Sequence, residues 1–260
     1  MTIASLLLTS GTVPSHAAGI FYGVDISTDD LITIDPTTGA GTSVGPLGIT
    51  FPTGLAYDRN NDILYGIDIQ GDDLVRIDPN TGASSLIGDL GFGSITGLTY
   101  DSNNATLYAA ELFTDELLTI NPNTGAATPV GLFGFGAIAG LAYDPNNDIL
   151  YGVDNDNDEL ISINPATGAG TLIGSLNTGA TFVTGLAYDS DNDVLYGTDS
   201  TGDRLISIDT TSGAGTPIGP LGFAGVRGLT YVPEMIPEPS HLAFLLLGAA
   251  MTGIRRRASR

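Results

Sequence analysis

Apolar and polar positions alternate along this chain in short runs, and the runs recur in a fixed order. The fullest copy begins at Gly54 with GLAYD, passes a polar turn to ILYGID, and continues through LVRIDPNTGA to SSLIGD. The unit restarts at Gly97, Gly140 and Gly185, and a fragment, GLTYV, starts at Gly228, so the starts lie 43, 43, 45 and 43 residues apart. A period this constant marks a repeat architecture. Within one unit the pattern predicts four short strands, Gly54–Tyr57, Ile63–Ile67, Leu74–Ile77 and Ala83–Ile87. β-Branched and aromatic residues fill these runs and turn formers separate them.

The turns carry their own chemistry. Asp58-Arg-Asn-Asn-Asp62 follows the first strand, where Asx side chains can accept bonds from nearby backbone amides. Between the third and fourth strands stand DPTTG, DPNTG, NPNTG, NPATG and DTTSG in the five units. Proline presets φ, and the closing glycine supplies the positive φ that finishes a hairpin.

Four strands in about 40–45 residues is the signature of one β-propeller blade. LYG-type strands begin at Phe21, Leu64, Leu107, Leu150 and Leu195, and GL-x-Y strands at Gly54, Gly97, Gly140, Gly185 and Gly228. The fold expected is therefore all-β, a five-bladed β-propeller over residues 19–232 with four-stranded blades. The chain enters in mid-unit at Phe21, and the missing first strand is what remains at Gly228–Val232. Pairing those two ends would close the ring and leave no sheet edge between first and last blade. All ten tyrosines occupy two repeat positions. Aromatic residues at fixed positions pack blade against blade, with the hydroxyl finding a partner.

Composition narrows the function classes. The 260 residues carry 29 Asp and Glu against eight Arg and no Lys, a net charge of −21. So anionic a surface repels phosphate backbones and argues against nucleic-acid binding. There is no Cys, hence no disulfide and no thiol chemistry. The two histidines, His16 and His241, fall in the terminal segments described next. The repeat body thus lacks the residues for Ser-His-Asp or Cys-His catalysis and for His-based metal sites.

Paired carboxylates, as in glycosidases, are the remaining catalytic route. The carboxylates mostly follow the repeat, whereas an active site needs different groups at unique places. The departures are few: Ala109-Ala110-Glu111 replaces Gly-x-Asp, and Arg227 replaces the Thr found at positions 53, 96 and 184. Calcium is a candidate ligand. Asp58, Asn60 and Asp62, then Asp144, Asn146 and Asp148, then Asp189, Asp191 and Asp193 alternate oxygen donors as hard-cation loops do, and Asp154, Asp156 and Asp158 repeat the pattern elsewhere. The alternative is that these Asx residues shape turns, and no Gly and distant Glu of an EF-hand follows them.

The two ends differ from the body. Residues 1–18 read as a signal peptide, with an apolar run at Ile3–Leu8 and small residues around His16, although the usual positive start is missing. After Val232 come a proline-rich spacer, an apolar run His241–Ile254 expected to form a hydrophobic transmembrane helix, and Arg255, Arg256 and Arg257. The apolar run is short for a span of about 20 residues. Pro237, Glu238 and Pro239, the apolar run and the Arg cluster together resemble the PEP-CTERM sorting signal of Gram-negative bacteria. The resemblance covers roughly the last tenth of the chain. It implies a sorting tail over 233–260, with export, transient anchoring in the inner membrane, an exosortase as partner and delivery to the envelope or extracellular matrix. The body is similar to bacterial secreted propellers with LYG-x-D and ID-x-x-TG repeats, a likeness that adds fold and no activity. The function expected is a non-enzymatic structural or binding module. A carbohydrate-binding propeller acting on exopolysaccharide through loops or a central channel, or a carbohydrate-active enzyme, stand as alternatives. No cofactor is expected beyond calcium.

Overall fold

The computed structural model describes residues 19–179 and 182–233. The signal-peptide segment, the sorting motif and the expected C-terminal helix lie outside the described residues. Among the described residues, twenty strands form five four-stranded antiparallel sheets. The first sheet contains β1 (Ile20–Asp25), β2 (Asp30–Ile34) and β3 (Gly41–Pro46). The second runs β4 (Pro52–Asp58), β5 (Ile63–Asp68), β6 (Asp73–Ile77) and β7 (Ser84–Asp89). The third is β8 (Ile95–Asp101), β9 (Thr106–Glu111), β10 (Glu116–Ile120) and β11 (Ala127–Leu132). The fourth is β12 (Ile138–Asp144), β13 (Ile149–Asp154), β14 (Glu159–Ile163) and β15 (Gly170–Ser175). The fifth is β16 (Val183–Asp189), β17 (Val194–Asp199), β18 (Arg204–Ile208) and β19 (Gly215–Pro220). The last strand, β20 (Val226–Val232), returns to the first sheet, whose order is β20-β1-β2-β3. Phe21 pairs with Tyr231, Tyr22 with Thr230 and Gly23 with Leu229, so the two ends of the described chain share one sheet.

The innermost strands β4, β8, β12, β16 and β20 pack on one another around the axis. They are buried along almost their whole length, whereas the outermost strands are buried at no residue. The core is therefore a set of seams between blades. In one, Tyr22, Val24 and Leu31 of the first blade meet Leu55, Tyr57 and Val75 of the second. In another, Phe21, Ile32 and Ile34 meet Leu205 and Leu221 across the closure.

Two glycine rings permit the blades to approach this closely. At the axis, a Cβ on Gly54 would stand 2.9 Å from the Cβ of Leu98, and one on Gly185 or Gly228 would stand 2.9–3.0 Å from the carbonyl carbon of the next axial glycine. The contact between Gly228 and Gly54 completes the circle. Nearer the rim, the hairpin glycines take the positive φ the turn requires, 80° at Gly82, and Gly82 lies directly against Gly45 of the neighbouring blade. A side chain at either ring would force adjacent blades apart.

Candidate functional site

All five inner strands start on one face of the ring, and the turns joining second to third strands of each blade rise on that same face. This follows from the antiparallel order within each sheet. A ring of residues opens there, one step before the axial glycines: Thr53, Thr96, Ala139, Thr184 and Arg227. Three of its hydroxyls tie blade to blade. Thr53 Oγ1 donates to the Ile95 carbonyl at 3.0 Å, Thr96 Oγ1 to Ile138 at 3.5 Å, and Thr184 Oγ1 to Val226 at 3.0 Å. Ala139 lacks a hydroxyl, and the carbonyl it would have reached, Val183, accepts instead from Asn155 Nδ2 at 3.1 Å.

With Leu112 and Phe182, these five ring residues line a cup of about 150 Å³. Its wall is mostly hydrocarbon, because the threonine protons point into main-chain carbonyls. Among the described residues Arg227 is the one charged side chain lining it, and the residue is half-buried. Among the described residues it makes no hydrogen bond or ion pair through its side chain, and Arg204–Asp199 is the sole ion pair. Desolvation lowers its pKa from the ordinary arginine value. Below the cup, the axial glycines and Leu55, Leu98, Leu141, Leu186 and Leu229 leave no room for a water-sized sphere. The axis is closed, and a central channel is not available to a ligand.

The opposite mouth is a shallower hollow of about 50 Å³ among Tyr57, Tyr100, Tyr143, Tyr188 and Tyr231. The hydroxyls are anchored as the repeat suggested. Tyr57 donates to Asp62 at 2.9 Å, Tyr143 to Asp148 at 2.7 Å, Tyr188 to Asp193, and Tyr231 to Asp191 at 2.7 Å. Tyr100, whose turn has Ala105 in place of that Asp, accepts from Asn60 Nδ2 at 3.2 Å. Burial first, and then these carboxylate bonds, push the Tyr57, Tyr143, Tyr188 and Tyr231 phenols well above their usual range.

The loop carboxylates are committed to their turns. Asp58 Oδ1 accepts the amides of Asn60 and Asn61, and Asp144, Asp154 and Asp189 accept in the same way. Asn60 and Asn146 turn their amides to main-chain carbonyls of the next blade, at Ser102 and Ser190. Asp62, Asp148, Asp191 and Asp193 take the tyrosine hydroxyls. Asp158 sits at positive φ at the end of its turn, and Asp156 lies beside Gly136. Among the described residues, no group of three or more Asp, Glu, His or Cys side chains gathers where a metal could be held. Among the described residues, no Asp or Glu lines either axial mouth. Glu111, which breaks the Gly-x-Asp pattern, caps its own turn by accepting from Thr114.

Of the cup residues, only Arg227 stood out in the sequence, as a departure from the threonine pattern. Phe182 lies in the one spacing of 45, after a loop two residues longer than its counterparts, and that excess was its signal. Leu112 and Asn155 occupy one loop position in different blades, and nothing local marks them.

The family described as "Repeat of unknown function (DUF6923)" matches residues 53–190, just over half the chain. No curated protein matches the sequence. Among solved structures, a chain of a nidogen/laminin complex aligns with TM-score 0.60 at 20% identity, over 82% of this chain and 80% of that one. A Bacteroides thetaiotaomicron protein of unknown function aligns with TM-score 0.57 at 17% identity, over 84% of this chain, which spans 66% of its length. A virginiamycin B lyase from Staphylococcus aureus aligns with TM-score 0.49 at 17% identity, over 81% and 73%. The first two likenesses are of fold.

Proposed function

The chain belongs to a repeat family of unknown function (DUF6923), and from that premise we propose that it is an exported, non-enzymatic propeller serving the cell envelope or extracellular matrix as a structural or binding module. One observation carries the non-enzymatic part. The carboxylates of the Asx turns, among them Asp58, Asp62, Asp144, Asp148 and Asp189, act as turn caps and tyrosine partners, and among the described residues neither mouth of the axis presents a carboxylate. A glycosidase needs two free carboxyl groups facing one substrate. Glycine-spaced seams and a closed ring instead make a rigid frame, which suits presenting a surface outside the cell.

Sorting rests on the sequence of the tail: Pro237, Glu238 and Pro239, an apolar run, then Arg255, Arg256 and Arg257. In this reading an exosortase-type enzyme recognises the proline motif while the apolar run holds the chain in the inner membrane. Deleting residues 234–260 and fractionating the producing cells tests it. The truncated protein should fail to reach the fraction that the full chain reaches. A distribution unchanged by the deletion refutes sorting by the tail.

A second reading, carbohydrate binding, is favoured by Phe51, Phe113 and Phe182, which stand exposed in loops on the cup face. Aromatic faces stack on sugar rings. Retention on the producer's own exopolysaccharide, lost on replacing Phe113 with Ser, would support it. Silence on that polymer and on a glycan array would remove it.

A further inference from the structure

The cup on the axis has a chemistry that no repeat-derived role explains. In the other four blades its ring position is filled by Thr or Ala, residues that tie blades together or merely fit. The first blade, through β20, places an arginine there, half-buried, in one lining with Leu112, Ala139 and Phe182. Partly desolvating a charge without a partner is costly, and folded chains normally pair it. This chain carries 29 acidic residues, yet none meets Arg227 among the described residues. The cost is offset once an anion enters.

The geometry points to the cup as a binding site for a small monocarboxylate with an aromatic or branched aliphatic body. The head group follows from Arg227, whose planar fork matches a carboxylate with two parallel hydrogen bonds. The body follows from the walls. Thr53, Thr96 and Thr184 have given their protons to main-chain carbonyls, so they offer little to a sugar's hydroxyls. Leu112, Ala139 and Phe182 offer hydrocarbon. The size follows from the volume of about 150 Å³, a space of the kind that takes one benzene ring. The closed axis stops the ligand at the glycine ring, so it binds from one face only. The site does not depend on where the protein is delivered, and the purified full chain suffices to test it.

Calorimetric titration with sodium phenylacetate, 2-phenylethanol and 2-phenylethylamine separates charge from shape, since the three share a ring and differ in the head. Phenylacetate should bind at least about tenfold more tightly than the alcohol, and the amine should not bind. Arg227→Thr, which installs the residue of three other blades, should abolish the preference for the acid. Arg227→Gln, which keeps a polar amide but no charge, should do the same, and so guards against a folding defect in the first variant. Equal affinity for acid and alcohol, no binding of phenylacetate, or full binding by a folded Arg227 variant would each overturn the proposal.

Discussion

Asn155 holds Val183 in both directions: its Oδ1 accepts the Val183 amide at 2.7 Å and its Nδ2 donates to the Val183 carbonyl at 3.1 Å. The same Nδ2 reaches the Ala137 carbonyl at 3.0 Å. One side chain therefore stitches the fourth blade to the fifth at the seam where Ala139 cannot. Asn155→Ala should leave two buried main-chain groups of Val183 and the half-buried Ala137 carbonyl short of partners and cost about 2–4 kcal/mol. For a domain of this size that lowers Tm by roughly 5–10 °C, measurable by calorimetry. A Tm within about 1 °C of the parent's would show that the seam holds without it.

Thr198 makes the opposite error. Its Oγ1 is buried and has no hydrogen-bond partner. The equivalent residues of the other blades are Val24, Ile67, Ala110 and Val153, all apolar and buried. Thr198→Val keeps the shape and removes the orphaned hydroxyl, so stability should rise by about 1 kcal/mol. Chemical denaturation should show a higher midpoint with an unchanged slope.

Alkaline pH should unfold the protein through its tyrosine ring. Tyr57, Tyr143, Tyr188 and Tyr231 have phenol pKa values raised from 10.0, chiefly by burial and then by the carboxylates they donate to. The folded state holds these protons more tightly than the unfolded state does. Their contribution is intact below pH 10 and is lost as pH climbs from there through the raised folded values. Tm should be level with respect to these groups up to about pH 10 and fall above it. Phenolate absorbance should appear together with unfolding. Phenolates forming at ordinary pH in a folded protein would contradict this.

The turn-capping geometry makes a calcium response unexpected. A cation at Asp58 or Asp189 would have to compete with two backbone amides on Oδ1 and an asparagine side-chain amide on Oδ2. Ligands that bind only the native state raise Tm, so scans with excess Ca²⁺ and with EDTA should superimpose. A shift of several degrees would restore the loops Asp58–Asp62, Asp144–Asp148, Asp154–Asp158 and Asp189–Asp193 as cation sites.

The ring was legible in the sequence because each blade repeats the same solution. Gly82 and its equivalents announce the hairpin, Asp58 announces the capped turn, and the split between Phe21 and Gly228 announces the closure. Strand ends were less legible. Ala83, expected to open the outer strand, belongs to the turn, where its carbonyl accepts from the Asp78 amide at 2.9 Å. The inner strand starts earlier than its glycine, at Pro52, because Pro52 and Thr53 still pair with Asp68 and Ile67 of β5. The cup was least legible. It is assembled from Leu112, Ala139, Phe182 and Arg227, in four different blades, and such proximity appears only once the ring is closed.

That closure is the claim on which the rest depends, and the absence of native cysteine makes it directly measurable. Ile20 and Val232 are cross-strand partners at one end of the β1–β20 pair, and the Cβ atoms of such pairs typically lie roughly 4.5–5.5 Å apart, close to disulfide geometry. The Ile20→Cys, Val232→Cys double variant should form an intramolecular disulfide under mild oxidation, run faster on a non-reducing gel and melt at higher temperature than its reduced form. Monomer that stays reduced, or bonds only between molecules, would show that the ends do not meet and that the ring is open.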